Sequence, residues 1–195
     1  MINYNILFGR LGNQMFQGAY LLAQVKKGMI PSIYVQGEEF FEEAREEVRA
    51  LFSQGIKEPI DMVAIHVRRA ANPTNPDEPK YCDNLFYVNL FDTDYYERAM
   101  DMFPDEDFIV FSDDIEWCKQ QDIFRGCEFS AGKTDIEDMN LMAACKGIIM
   151  ANSSFSFWAA YLNPNPDAKI IAPSVENWHP DGVERTVCPQ GWTRI

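Results

Sequence analysis

Short apolar runs alternate with longer helical patterns along the whole chain, and that alternation constrains the fold more than any other feature. Residues 2–8 alternate apolar and polar positions and read as a first strand. A glycine turn follows, then a helix over 14–27 and a short strand over 32–35 after Pro31. Residues 38–52 read as a helix with Phe40, Phe41, Ala44, Val48, Leu51 and Phe52 on one stripe. Its other face carries Glu38, Glu39, Glu42, Glu43, Glu46 and Glu47, a solvated surface. The apolar run at 62–67 has the character of a buried parallel strand. Residues 70–84, with three prolines, read as a long loop, and long unstructured loops are often functional. Beyond it the patterns predict a helix over 93–102, capped by Asp92 or Thr93, and a strand over 108–111. A helix over 115–121 and a strand over 127–130 follow. A helix capped by Asp135 then runs through Cys145, before a strand over 147–151, a helix over 154–162 and a last strand over 169–172. Regular alternation of this kind predicts an α/β fold with a mainly parallel sheet.

In such a fold ligands sit beyond the carboxyl ends of the strands. Four polar clusters fall there. The first is Gly9-Arg10-Leu11-Gly12-Asn13-Gln14, a glycine turn that opens a helix and exposes backbone N–H groups to an anion. It has neither the G-x-G-x-x-G spacing of a dinucleotide site nor the Gly-Lys-Ser/Thr of a phosphate-binding P-loop. The second is His66-Val67-Arg68-Arg69, where strand alternation puts His66 and Arg68 on one side. An arginine at a strand end can pair bidentately with a phosphate, or form a surface ion pair. The third is Phe111-Ser112-Asp113-Asp114 with Trp117 a turn on; one aspartate can accept N–H bonds from a guanine edge while the other caps a helix. The fourth, Asn152-Ser153-Ser154-Phe155-Ser156-Phe157-Trp158, ends a strand in small hydroxyl residues and opens another helix, a second anion site. Phe157, Trp158 and Tyr161 read as packing rather than as a base-stacking platform.

Composition narrows the partners. Seventeen Lys and Arg against 30 Asp and Glu give a net charge of -13. A surface so acidic repels phosphate backbones and anionic lipids, which excludes nucleic acid as a partner and leaves small anions only where a local basic pocket exists. The five cysteines, at 82, 118, 127, 145 and 188, show no C-x-x-C spacing, and Cys118 and Cys145 fall in helical patterns as small hydrophobes. Residues 1–8 lack the basic start of a signal peptide, and no apolar stretch approaches the roughly 20 residues of a membrane span. The expectation is a cytoplasmic chain without a transmembrane segment.

Together and in order, the clusters resemble the α-1,2-fucosyltransferases, glycosyltransferase family 11. The resemblance runs from Gly9-Arg10-Leu11-Gly12-Asn13-Gln14-Met15-Phe16-Gln17 through His66-Val67-Arg68-Arg69 and Phe111-Ser112-Asp113-Asp114. It continues with Asp138-x-x-Leu141-Met142-x-x-Cys145 and the run from Asn152 to Asn163. It implies Rossmann-like parallel sheets in a GT-B-like arrangement and inverting transfer of L-fucose from GDP-fucose to a glycan hydroxyl, with no cofactor and no metal. The implied layout is a strongly reduced N-terminal acceptor-side segment, 1–60, and a GDP-sugar-binding Rossmann-like domain, 61–195, the two able to pack as one unit. By the same resemblance Arg68 would hold the donor β-phosphate, and His66 and one of Asp113 or Asp114 would contact the guanosine. Asn152, Ser153, Ser154 and Phe155 would line the diphosphate, and Gly9, Gly12 and Asn13 would approach the fucosyl-diphosphate, with Arg68 and Asn13 as catalytic groups. The D-x-D of Asp92-Thr93-Asp94 stands at a helix start and reads as a cap rather than a metal site. The family follows its Arg-Arg with Gly-Asp, whereas this chain has Ala70-Ala71. The general base then falls to Asp77, Glu78, Asp83, Glu38 or Glu39. The alternatives are a GDP-sugar-binding protein with impaired catalysis and a transferase of another GDP-sugar.

Overall fold

The computed structural model describes residues 10–27, 41–69, 87–132, 134–182, 184, 186 and 188–195. The expected strands over 2–8 and 32–35 and the loop over 70–84 lie outside them. Among the described residues six strands form one all-parallel sheet: β1 (Ile60–Val67), β2 (Phe108–Ser112), β3 (Glu128–Phe129), β4 (Cys145–Ile149), β5 (Lys169–Ala172) and β6 (Thr193–Arg194). Their order is β3-β2-β1-β4-β5-β6, the Rossmann arrangement. Order reverses between β1 and β4, so a crevice opens beyond their carboxyl ends.

Seven helices accompany the sheet among the described residues: α1 (Leu11–Lys27), α2 (Arg45–Phe52), α3 (Tyr95–Asp101), α4 (Ile115–Cys118), α5 (Asp135–Ala144), α6 (Ser154–Leu162) and α7 (Val175–Trp178). The pleat divides the core between two layers. On one face Ala64, Phe111, Ile148, Met150 and Ile170 join the buried stripe of α1 (Met15, Phe16, Ala19, Ala23) with α5 and α6. On the other, Val63, Ile65, Val67, Val110, Ile149 and Ile171 meet Tyr95, Tyr96 and Ala99 of α3 and Cys118 of α4. The buried parts of β1, β2, β4 and β5 thus alternate between two dry layers, which is why these runs are largely apolar. Phe16, Phe41, Phe157 and Trp158 form the aromatic centre of the first layer, with Phe41 stacked on Trp158 at 5.5 Å. Burying a side chain of this size stabilises by about 1.5–3 kcal/mol.

Several element ends differ from the sequence expectation, each for a local reason. The acidic helix is a 3-10 turn over Glu42–Ala44 followed by α2, and Leu51 is half exposed rather than in the core stripe. Thr134, not Asp135, caps α5, its hydroxyl accepting the Glu137 N–H at 3.1 Å. Cys145 starts β4 instead of closing a helix, because it is buried opposite Ile60 and its carbonyl accepts the Asn163 side-chain N–H at 2.7 Å. The Thr93 hydroxyl accepts the Tyr95 N–H at the start of α3, which begins two residues later than expected. β6 and α7 are additions that no periodicity announces.

Candidate functional site

A cleft opens where the strand order reverses. It gathers Gly12 and Asn13 from α1, His66 and Arg68 from the end of β1, Asp113 from the end of β2, and Asn152, Ser153, Ser154 and Phe155 from the β4–α6 junction. Nine of the expected site residues therefore meet in one place. Asp114 stands outside the lining: its carboxylate accepts the Trp117 N–H at 3.2 Å and caps α4. Gly9, Glu38, Glu39, Asp77, Glu78 and Asp83 lie outside the described residues.

The N-termini of α1 and α6 meet head to head. Gly12 makes this possible, since a Cβ there would stand 2.6 Å from the Ser154 carbonyl carbon and 2.7 Å from the Phe155 nitrogen. The Ser154 hydroxyl donates to Asn13 Oδ1 at 3.0 Å and ties the two ends together. Ser153 caps α6 by accepting the Phe155 N–H. Each helix start carries roughly half a positive charge, so their meeting favours an anion.

Cationic side chains reinforce that field. Arg68 lies at the cleft and pairs with Asp113, which also accepts from Arg10 at 3.1 Å and from the Arg69 backbone N–H at 2.8 Å. The Arg69 guanidinium turns away and stacks on the Trp117 ring at 3.6 Å. His66 shares the sheet face of Ala64, is buried against the Phe155 ring at 5.3 Å, and keeps its imidazole neutral. Burial, with Arg68 and then Arg10 adding to it, pushes its pKa down to about 3. Its Nδ1 is buried without a hydrogen-bond partner. Asn152 is fixed by its amide N–H groups, which donate to the carbonyls of Val88, Asn177 and Trp178, while its Oδ1 is left without a partner. Both atoms belong to cleft residues, while Arg69 Nε and Trp158 Nε1, outside the lining, are likewise buried without a hydrogen-bond partner.

Four further ionisable lining residues were not assigned to the site from the sequence: Arg10, Tyr87, Asp135 and Asp138. Arg10 sits inside the glycine turn and Asp138 inside the Asp138-x-x-Leu141 pattern, so both signals were in view. Burial raises the Asp138 carboxyl above the usual range, aided by Asp135 and Glu137, although the Ser130 hydroxyl bond works against it. Asp92 and Asp94 are exposed outside the cleft, and Asp94 faces Arg98. Among the described residues no three His, Cys, Asp or Glu side chains cluster as metal ligands, and no helix is long and apolar enough to cross a membrane.

Sheet order, reversal-point cleft and paired helix starts define a Rossmann-like α/β protein. Within that class the chain belongs to glycosyltransferase family 11, whose model, "Glycosyl transferase family 11", matches residues 28–195. It is 33% identical to an alpha-1,2-colitosyltransferase of Escherichia coli, over 87% of this chain and 63% of that one. It is 28% identical to the O-antigen biosynthesis glycosyltransferase WbnK of the same organism, over 74% and 48%. With galactoside alpha-(1,2)-fucosyltransferase 2 of Rattus norvegicus it shares 31% identity over 60% and 35%. The matches thus span between about a third and just under two thirds of these relatives.

Proposed function

We propose that the chain is an inverting glycosyltransferase that moves L-fucose from GDP-fucose to a hydroxyl of a glycan acceptor. The observation that carries this reading is the convergence of Arg68 and two helix N-termini on one cleft of an otherwise acidic molecule. Departing GDP carries growing negative charge, which Arg68, Arg10 and the Ser153–Phe155 amides would stabilise. His66 would contact the guanosine, and Asn13 would face the transferred sugar. The acceptor hydroxyl needs a base, a carboxylate from Asp77, Glu78, Asp83 or Glu38. No metal is needed where arginines and helix ends meet the diphosphate. A related reading keeps the site and changes the sugar; it is favoured by the similarity to a colitosyltransferase. A third, a GDP-sugar-binding protein with impaired catalysis, rests on Ala70-Ala71 in place of Gly-Asp.

Calorimetry with GDP and UDP, followed by transfer assays with GDP-fucose and other GDP-sugars, tests these readings. GDP binds and UDP does not if a purine edge is read; equal affinities would remove the guanosine assignment. GDP binding without transfer or donor hydrolysis would select the impaired form.

A further inference from the structure

Asp113 accepts three donors at once. One carboxylate oxygen takes Arg68 and Arg10, the latter at 3.1 Å, and the other takes the Arg69 backbone N–H at 2.8 Å. The aspartate side chain is 14% exposed and that of Arg68 22%, so this is a largely desolvated pair rather than a surface contact. Arg10 is 58% exposed on its side chain and reaches Asp113 from the turn that precedes α1. Such an arrangement leaves Asp113 little capacity to accept N–H groups from a purine edge. It does supply what two like-charged guanidinium groups beside two helix starts lack before a ligand arrives, a counter-charge that holds them in place. The backbone bond to Arg69 fixes the carboxylate against the chain segment that bears Arg68, so the anchor and the arginine move as one unit.

We infer that Asp113 is a positioning residue: it sets the guanidinium groups of Arg68 and Arg10 toward the phosphate end of the cleft and does not read the base. This rests on the reading of the cleft as a nucleoside-diphosphate site. Pre-set geometry reduces the ordering cost when the diphosphate binds. The diphosphate then shares the two arginines with Asp113, and the surplus positive charge of the helix starts offsets that sharing.

A double-mutant cycle in GDP affinity tests this, with Asp113→Asn, Arg68→Ala and the pair combined. Asp113→Asn keeps the side-chain volume and an acceptor for the Arg69 N–H, which makes it the fold-preserving variant. It should weaken GDP about 10-fold, the low end for a charge-assisted bond. The same substitution on top of Arg68→Ala should cost no more than about 3-fold, because little is left to position. Asp113→Glu should recover part of the loss. The GDP-to-IDP affinity ratio, which reports the purine amino group, should match wild type in every variant. A collapse of that ratio in Asp113→Asn would make Asp113 a base reader and overturn the inference. So would a full 10-fold loss in the Arg68→Ala background, or unchanged GDP binding in Asp113→Asn. Failure of wild type to bind GDP at all would instead overturn the nucleotide reading beneath it.

Discussion

Arg68 and His66 show how far single residues speak through their strand. His66 near the end of β1 and Arg68 just beyond it are two positions apart, and both reach the cleft. If Arg68 meets a diphosphate, Arg68→Ala weakens GDP by about 1.5–3 kcal/mol, the range for bonds to charged groups. Arg68→Lys recovers only part, since a point charge cannot make two parallel bonds; calorimetry giving wild-type affinity for both would place Arg68 outside the binding site. His66 carries a pH signature. Its pKa is about 3 in the fold against 6.5 for an open histidine. Between those values the unfolded chain takes up a proton that the folded chain refuses. The group therefore costs nothing above pH 6.5 and destabilises as pH falls toward 3, by up to about 1.4 kcal/mol per pH unit. Urea unfolding from pH 7 to pH 4 should show a shallower acid loss in His66→Gln than in wild type. Parallel curves would mean that the imidazole is charged in the fold. What the sequence left open was the partnership of these residues. Asp113 meets Arg68 across 45 positions and Arg10 across 103, and no local pattern carries a contact of that span.

At the level of elements, the junction of α1 and α6 depends on the missing side chain of Gly12. Gly12→Ala puts a methyl 2.6–2.7 Å from the backbone of Ser154 and Phe155, so the two helix starts must separate. The expected result is a loss of about 1–3 kcal/mol in urea unfolding, the usual cost of overpacking, together with a fall in GDP affinity when assayed well below the unfolding midpoint. Unchanged values for both would show that the junction yields freely. The strand–helix alternation was legible because each buried strand is apolar at successive positions and each major helix keeps a stripe. The described strands β1, β2, β4 and β5 and helices α1, α3 and α6 all appear where periodicity placed them, within a few residues. Ends were less legible. Thr134 and Asp135 are both good caps by residue type, and only the backbone path selects Thr134. β6 is two residues long and exists because Thr193 pairs with Ile171, a partner that lies 22 positions away in the chain and a world apart in local pattern.

The whole molecule sets a cleft that joins two arginines and two helix starts into a body of net charge -13. Its charge-compensating groups are side chains and helix ends, while Asp92 and Asp94 stand apart on the surface. Donor binding and any transfer should therefore survive EDTA; strict dependence on manganese or magnesium would return Asp92-Thr93-Asp94 to the site. The same crevice also joins stretches far apart in the chain. Asn13 bonds Ser154 across 141 positions, and Arg10 bonds Asp113 across 103. Contacts of such span close late, after the local strand–helix units have formed. A nascent chain still holding Ser154 within the ribosome has made both arginines and the first glycine turn, yet it has no second helix start to set against them. A nucleotide that recognises the joined ends would thus distinguish finished chains from unfinished ones, and would stabilise only the former.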